Sequence, residues 1–224
     1  MIINEMYQEK LHNPVTRETL YVLESTEEVF RVEFSIEPYS SIAAEHIHPH
    51  QQQTIHVIEG TLGCKVSGME RLLGVGESAV IPPGASHIQY NPTGSPARAI
   101  EEIRPAGRAH TFFRVLFALA QEGHTNSAGV PKPLIGAAFS AEFKDFVRPR
   151  SLALRLLFKV LGPLSKMLGY QRTVKKYIDR FENDDLDRTP VIDFADTPSA
   201  RYEYTAGAIS HRQIAHITNP EVHV

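Results

Sequence analysis

Between about residues 20 and 108 the chain is cut into short β-prone runs, each closed by a turn signal, and this rhythm restricts the fold more than any other feature. The runs are YVLE, VFRVEFSI, TIHVIEG, LGCKVSG, SAVIPPG, HIQYN and ARAIEEIRP. In VFRVEFSI, Phe30, Val32, Phe34 and Ile36 alternate with Arg31, Glu33 and Ser35, the period of a strand with one buried face. Glu59-Gly60, Ser67-Gly68 and Pro82-Pro83-Gly84 supply turns. Many short strands joined by close turns predict an antiparallel sandwich or barrel.

After residue 108 the period becomes helical. HTFFRVLFALAQEG predicts one helix and Pro133 to Val147 a second. SLALRLLFKVL and LSKMLGYQRTVKKYIDRF predict a third, broken or kinked at Gly162-Pro163. The expected organisation is therefore an N-terminal arm and barrel over 1–108, a helical extension over 109–182 and an acidic, extended tail over 183–224.

Charge is divided along the chain. Residues 144–180 carry ten Lys/Arg against two acidic residues, and residues 181–224 eight Asp/Glu against three Arg. Solvated faces account for this most simply. Docking of the tail on the basic helices or on a neighbouring subunit is a second account. A membrane-surface helix, with Leu152, Leu156, Val160 and Leu164 beside Arg155 and Lys159, is the weakest, because packing on the barrel or on a dimer mate needs the same apolar stripe. The net charge of −3 argues against a nucleic-acid partner bound through overall charge. Cys64 is the sole cysteine, which leaves no intramolecular disulfide. The N-terminus lacks a basic region followed by an apolar one, and no apolar run is long enough for a bilayer. The expectation is a cytoplasmic protein with no membrane association.

The histidines carry the chemistry. His46 and His48 stand two apart, so on a strand they share a face, and His87 follows a Pro-Gly turn at the start of another run. An HxH pair and a third histidine on a neighbouring strand make a plausible nitrogen face for a transition metal. Gln53 follows within reach. His50 falls in a turn and is expected at the rim, and His56 on the strand face opposite Gln53.

These residues resemble the two sequence blocks of the cupin superfamily. The first, G-x5-H-x-H-x3,4-E-x6-G, is matched by Ser40, His46, His48, Gln53 and Gly60, with serine for the first glycine and glutamine for the glutamate. The second, G-x5-P-x-G-x2-H-x3-N, is matched throughout by Gly76, Pro82, Gly84, His87 and Asn91. Fifteen residues separate Gly60 from Gly76. The resemblance implies a mainly β fold, a jelly-roll barrel (double-stranded β-helix) with appended C-terminal helices. It also implies one divalent transition metal (Fe, Mn, Ni, Cu or Zn) held by His46, His48, Gln53 and His87. Substrate would bind among inward apolar side chains, with Phe34, Ile55, Val57 and Ile81 as candidates, and a homodimer is expected by analogy.

Glutamine in place of the carboxylate leaves a bound M²⁺ its full charge, which would weaken the site and favour an anionic or enolisable small molecule. Strand alternation sends one of Glu101 and Glu102 inward, and Glu102 is the candidate catalytic base, with a salt bridge to Arg104 as its structural alternative. Three functions follow: oxygenase-type metal chemistry or a related lyase or isomerase; a non-catalytic module that binds or senses a small ligand; and a metal-independent cyclase or isomerase using the histidines as acid and base.

Overall fold

The structure, a computed structural model, describes residues 8–42 and 44–183 and the backbone of residues 215–216. Ten strands come first: β1 (Glu9–Asn13), β2 (Glu18–Ser25), β3 (Phe30–Ile36), β4 (His46–Ile47), β5 (Gln52–Glu59), β6 (Leu62–Val66), β7 (Met69–Leu73), β8 (Ser78–Ile81), β9 (Ser86–Tyr90) and β10 (Ala97–Arg104). Then follow α1 (Ala109–Gln121), α2 (Pro133–Glu142), β11 (Arg148–Pro149), α3 (Leu152–Met167), α4 (Tyr170–Asn183) and β12 (Ala215–His216). They form two sheets, ordered β1-β2-β3-β10-β5-β8-β12 and β11-β4-β9-β6-β7. Among the described residues all strand pairings are antiparallel except that of β12 with β8.

Alternation of side chains decides which faces close on each other. Along β10, Ala97, Ala99, Glu101 and Ile103 are buried while Arg98, Ile100 and Glu102 are only partly so. Phe30, Val32, Phe34 and Ile36 of β3 face the same interior, as do Ile55 and Val57 of β5. The turn positions of the sequence blocks have physical reasons. Gly60 lies at φ +73°, and a Cβ there would sit 2.5 Å from the Pro96 carbonyl oxygen. Asn91 ties the β9–β10 loop down, donating to the carbonyls of Ile36 (3.1 Å) and Ser95 (2.7 Å) while its Oδ1 accepts from Thr93 N (2.9 Å).

The helices close one mouth of the barrel, and their core is continuous with it: Phe112, Phe117, Ile135, Phe139, Val174 and Ile178 join the cluster that holds Phe30 and Phe34. Two boundaries differ from expectation. α2 ends at Glu142 instead of running to Val147: the chain turns there, with Phe146 N and Val147 N both donating to the Phe143 carbonyl, and Arg148-Pro149 is then extended as β11, paired with β4. The helix of 152–167 runs through Gly162-Pro163 unbroken, and the break falls at Gly169, whose φ of +84° suits a helix stop. Ser151 caps α3, accepting from Leu154 N at 3.2 Å. The expected extended tail lies outside the described residues except for Asn183 and the short β12.

Candidate metal centre and cavity

The antiparallel register of β4 and β9 sets His46 directly opposite His87. His48 follows β4 at the turn whose carbonyl accepts from Gly84 N at 2.8 Å. The three imidazoles converge, with ring centroids 4.3 Å (His46–His87), 5.0 Å (His46–His48) and 5.2 Å (His48–His87) apart. One nitrogen from each lies within 4.8 Å of those of the others.

Each ring is oriented by the backbone. Nδ1 of His46 faces the Ala44 carbonyl at 3.0 Å, that of His48 the Phe146 carbonyl at 2.8 Å, and that of His87 the Ala85 carbonyl at 3.1 Å. A carbonyl can only accept, so each Nδ1 carries the proton and donates it, which leaves each Nε2 with a free lone pair. Burial lowers the pKa of all three, to about 3 for His48 and well down for His87, with mutual repulsion adding to it at His48 and His87. The imidazoles are therefore neutral at physiological pH, the state a metal ligand requires. His87 Nε2 and Gln53 Oε1 are buried with no partner among the described residues. Orphaned acceptors in a buried cluster of neutral imidazoles fit a divalent cation.

With His87 fully buried beside them, the other two of the triad, His46 and His48, line the polar end of a cavity of about 120 Å³. Its volume is of the order of the ~150 Å³ cavity known to admit benzene. The polar end holds His46, His48, Gln53, Gln89, Glu18, Glu45 and Glu101. The walls are Phe112, Phe113 and Leu116 of α1, Phe139 of α2 and Leu154 and Phe158 of α3, with Ile42, Val130 and Val147. Among the described residues neither Arg nor Lys lines it.

Glu101 is 4% exposed and its carboxyl is pushed up to about 7 by burial, against an opposing hydrogen bond from Gln53. Glu18 is raised well above the usual carboxylate range by burial and by the charge of Glu101. Gln89, on the same face of β9 as His87, is fully buried, and neither its amide nitrogen nor its oxygen has a partner among the described residues.

The assignment of Glu102 is corrected. Alternation turns Glu102 to the outer face of β10, where Arg31 holds it at 2.7 and 2.9 Å and Arg104 at 2.6 Å; Glu101 is the inward member. The candidate pocket residues are corrected too. Phe34, Ile55, Val57 and Ile81 are at most 1% exposed and fill the barrel interior instead of lining the cavity. The space they were expected to border lies above them, between the barrel mouth and the helices. His50 is partly exposed at a turn and His56 sits on the outer side, its Nδ1 2.8 Å from Ser78 Oγ.

Residues 32–101, which carry all four residues proposed as ligands, match the cupin domain family. The chain carries a cupin domain. Solved structures with similar folds include a protein from Thermus thermophilus, 24% identical over 42% of this chain and 88% of that one, with a TM-score of 0.39. A Klebsiella pneumoniae protein with a double-stranded β-helix domain is 29% identical over 38% of this chain and 75% of that one, at 0.36. An RmlC-like cupin from Shewanella frigidimarina is 20% identical over 49% of this chain and 94% of that one, at 0.42. No curated protein matches the chain. The helical extension contributes most of the cavity wall around the cupin site, along with the Phe146 carbonyl that orients His48. Sequence reasoning missed Gln89, Glu18 and these aromatic side chains. The inward parity of Gln89 with His87 was the one signal available for any of them.

Proposed function

We propose that this protein is a metal-dependent cupin enzyme that acts on a small, enolisable organic molecule of about one ring by oxygenase-type chemistry. The observation that carries this reading is the convergence of three backbone-oriented, neutral imidazoles, two of which, His46 and His48, line the polar end of an aromatic-walled cavity. A divalent transition metal held by His46, His48 and His87, with Gln53 as a further donor, would supply Lewis acidity toward substrate oxygen and a place for O₂.

The chain's own side chains account for the remaining steps. Phe112, Phe139 and Phe158 pack against a flat apolar body and keep water out. The Gln89 amide offers donor N–H groups to a substrate carbonyl and an acceptor oxygen to a substrate hydroxyl. Glu101, with a pKa of about 7, accepts a proton from the substrate at a carboxylate oxygen. An anionic ligand finds no Arg or Lys among the described residues of this cavity and meets three carboxyls there, of Glu18, Glu45 and Glu101. That supports a substrate that enters neutral and is deprotonated within, the enolisable member of the two classes expected from the glutamine at 53. Pairing of two copies through an open sheet edge, β1 or β7, belongs to the same proposal, because such an edge needs covering.

A second reading, a metal-independent cyclase or isomerase, is favoured by one observation: Glu101 is poised for proton transfer whether or not a metal is bound. Elemental analysis of purified protein, with turnover measured before and after chelation and with and without air, separates the two. About one equivalent of metal, activity lost on chelation and dependence on O₂ support the first. Activity that survives chelation supports the second. Ligand retention with no turnover in either condition rejects both in favour of a binding module.

A further inference from the structure

A second feature that calls for a partner lies on α3, on the side turned away from the cavity. Leu154, Phe158, Leu161 and Ser165, spaced at helical intervals, form the face that packs inward, and Leu154 and Phe158 are cavity wall. The remainder is exposed: Leu152 at 62%, Leu156 at 54%, Val160 at 75%, Leu164 at 40%, Met167 at 75% and Leu168 at 54%. At 100° per residue these side chains, with Leu157, sweep about 160° of the helix without a polar residue among them. Of the two uses expected for this stripe, packing on the barrel or on a dimer mate, the first is not made: the stripe is exposed in the single chain. An exposed apolar surface of this extent marks an interaction site.

Charge selects among the partners. Arg155, Lys159 and Lys166 occupy the remaining arc of α3, next to Leu152, and α4 adds exposed Arg172, Lys175, Lys176 and Arg180. Residues 144–180 hold ten basic side chains against Asp145 and Asp179. A second copy laid face to face on this surface would double its positive charge and offer no surplus of the opposite sign, since a two-fold contact presents the same patch twice. A surface both apolar and negatively charged satisfies both features. Long Arg and Lys stems can lie along the apolar zone while their heads reach anionic headgroups. Among the described residues no helix is long and apolar enough to cross a membrane, so α3 would lie on a bilayer and not span it.

We propose that the exposed face of α3 docks this protein on an anionic lipid surface. The proposal does not depend on the metal site. Docking would place the lipid against the outer side of the helix whose inner side walls the cavity.

The test uses the full chain and sedimentation with vesicles of phosphatidylcholine, with and without phosphatidylglycerol. Wild-type protein is expected to pellet with the anionic vesicles and to be released by high salt. Val160→Glu and Met167→Glu, both at positions 75% exposed, should lower partitioning by about tenfold or more at an unchanged melting temperature. Three results would overturn the proposal. One is failure of the wild type to bind anionic vesicles; another is equal binding by wild type and both variants. The third is a wild-type dimer in light scattering that Val160→Glu converts to monomer while vesicle binding is absent, which assigns the face to a second copy.

Discussion

Glu18 and Glu101 face one cavity floor from β2 and β10, and at this scale each makes a different prediction. The Glu18 carboxyl is raised well above its usual range, so the native state holds its proton more firmly than the unfolded chain does. Its effect on stability is therefore absent below the unfolded carboxylate pKa and grows unfavourable as pH climbs toward the native one. Glu18→Gln should melt higher than wild type at mildly alkaline pH, with the gap closing toward acid; melting curves across that range read it directly. Glu101→Gln keeps the hydrogen-bonding shape and removes the base. Turnover should fall by about 10²–10⁴-fold with metal content unchanged. Gln53→Glu sets a carboxylate beside Glu101, so the metal-free variant should melt below wild type, and the shift in melting temperature on adding metal should be larger. The same shift in both proteins would remove Gln53 from the ligand set. The histidines were legible in sequence because ligand spacing is local: two residues apart on one strand, and one at a fixed distance past a Pro-Gly turn. Which of Glu101 and Glu102 faces inward was not, since adjacent strand residues differ only by the parity that pairing imposes.

Among the elements, α3 shows best how local rules yield to tertiary context. Pro163 removes a backbone donor within the helix and its ring crowds the preceding turn, an arrangement that costs about 3 kcal/mol in a free helix. The helix nevertheless continues, because Phe158 on one side of this point and Ser165 on the other are both seated; Ser165 Oγ donates to the Leu134 carbonyl at 2.8 Å. Pro163→Ala should therefore raise the melting temperature without altering the fold, as thermal denaturation and far-ultraviolet dichroism would show. A fall would mean that the proline shapes the contact with α2. The glycine that ends the helix, Gly169, was as visible in the sequence as Gly162-Pro163. Only packing decided between the two breaks.

For the whole molecule the question is what holds the helices over the barrel. Glu9 of β1 accepts from Arg114 Nε at 2.8 Å and meets His110 Nε2 at 2.6 Å, both on α1. Burial raises its pKa, but the hydrogen bonds from His110 and Arg114 outweigh this and hold it below the usual carboxylate range. A carboxylate so depressed contributes stability that is complete above its unfolded pKa and is lost as pH falls through the native one. Glu9→Gln should reduce that acid sensitivity and lower stability at neutral pH, measurable by denaturant unfolding at the two extremes. What the sequence by itself determined was local and periodic: the strand rhythm that makes the barrel, the turn glycines, and the ligand spacing of His46, His48 and His87. Tertiary structure alone decided that the helices wall the cavity, that Phe146 orients His48 across 98 positions of chain, and that one face of α3 is left exposed. The physical reason is that periodicity states which side of an element is apolar, and only packing in three dimensions states what that side meets.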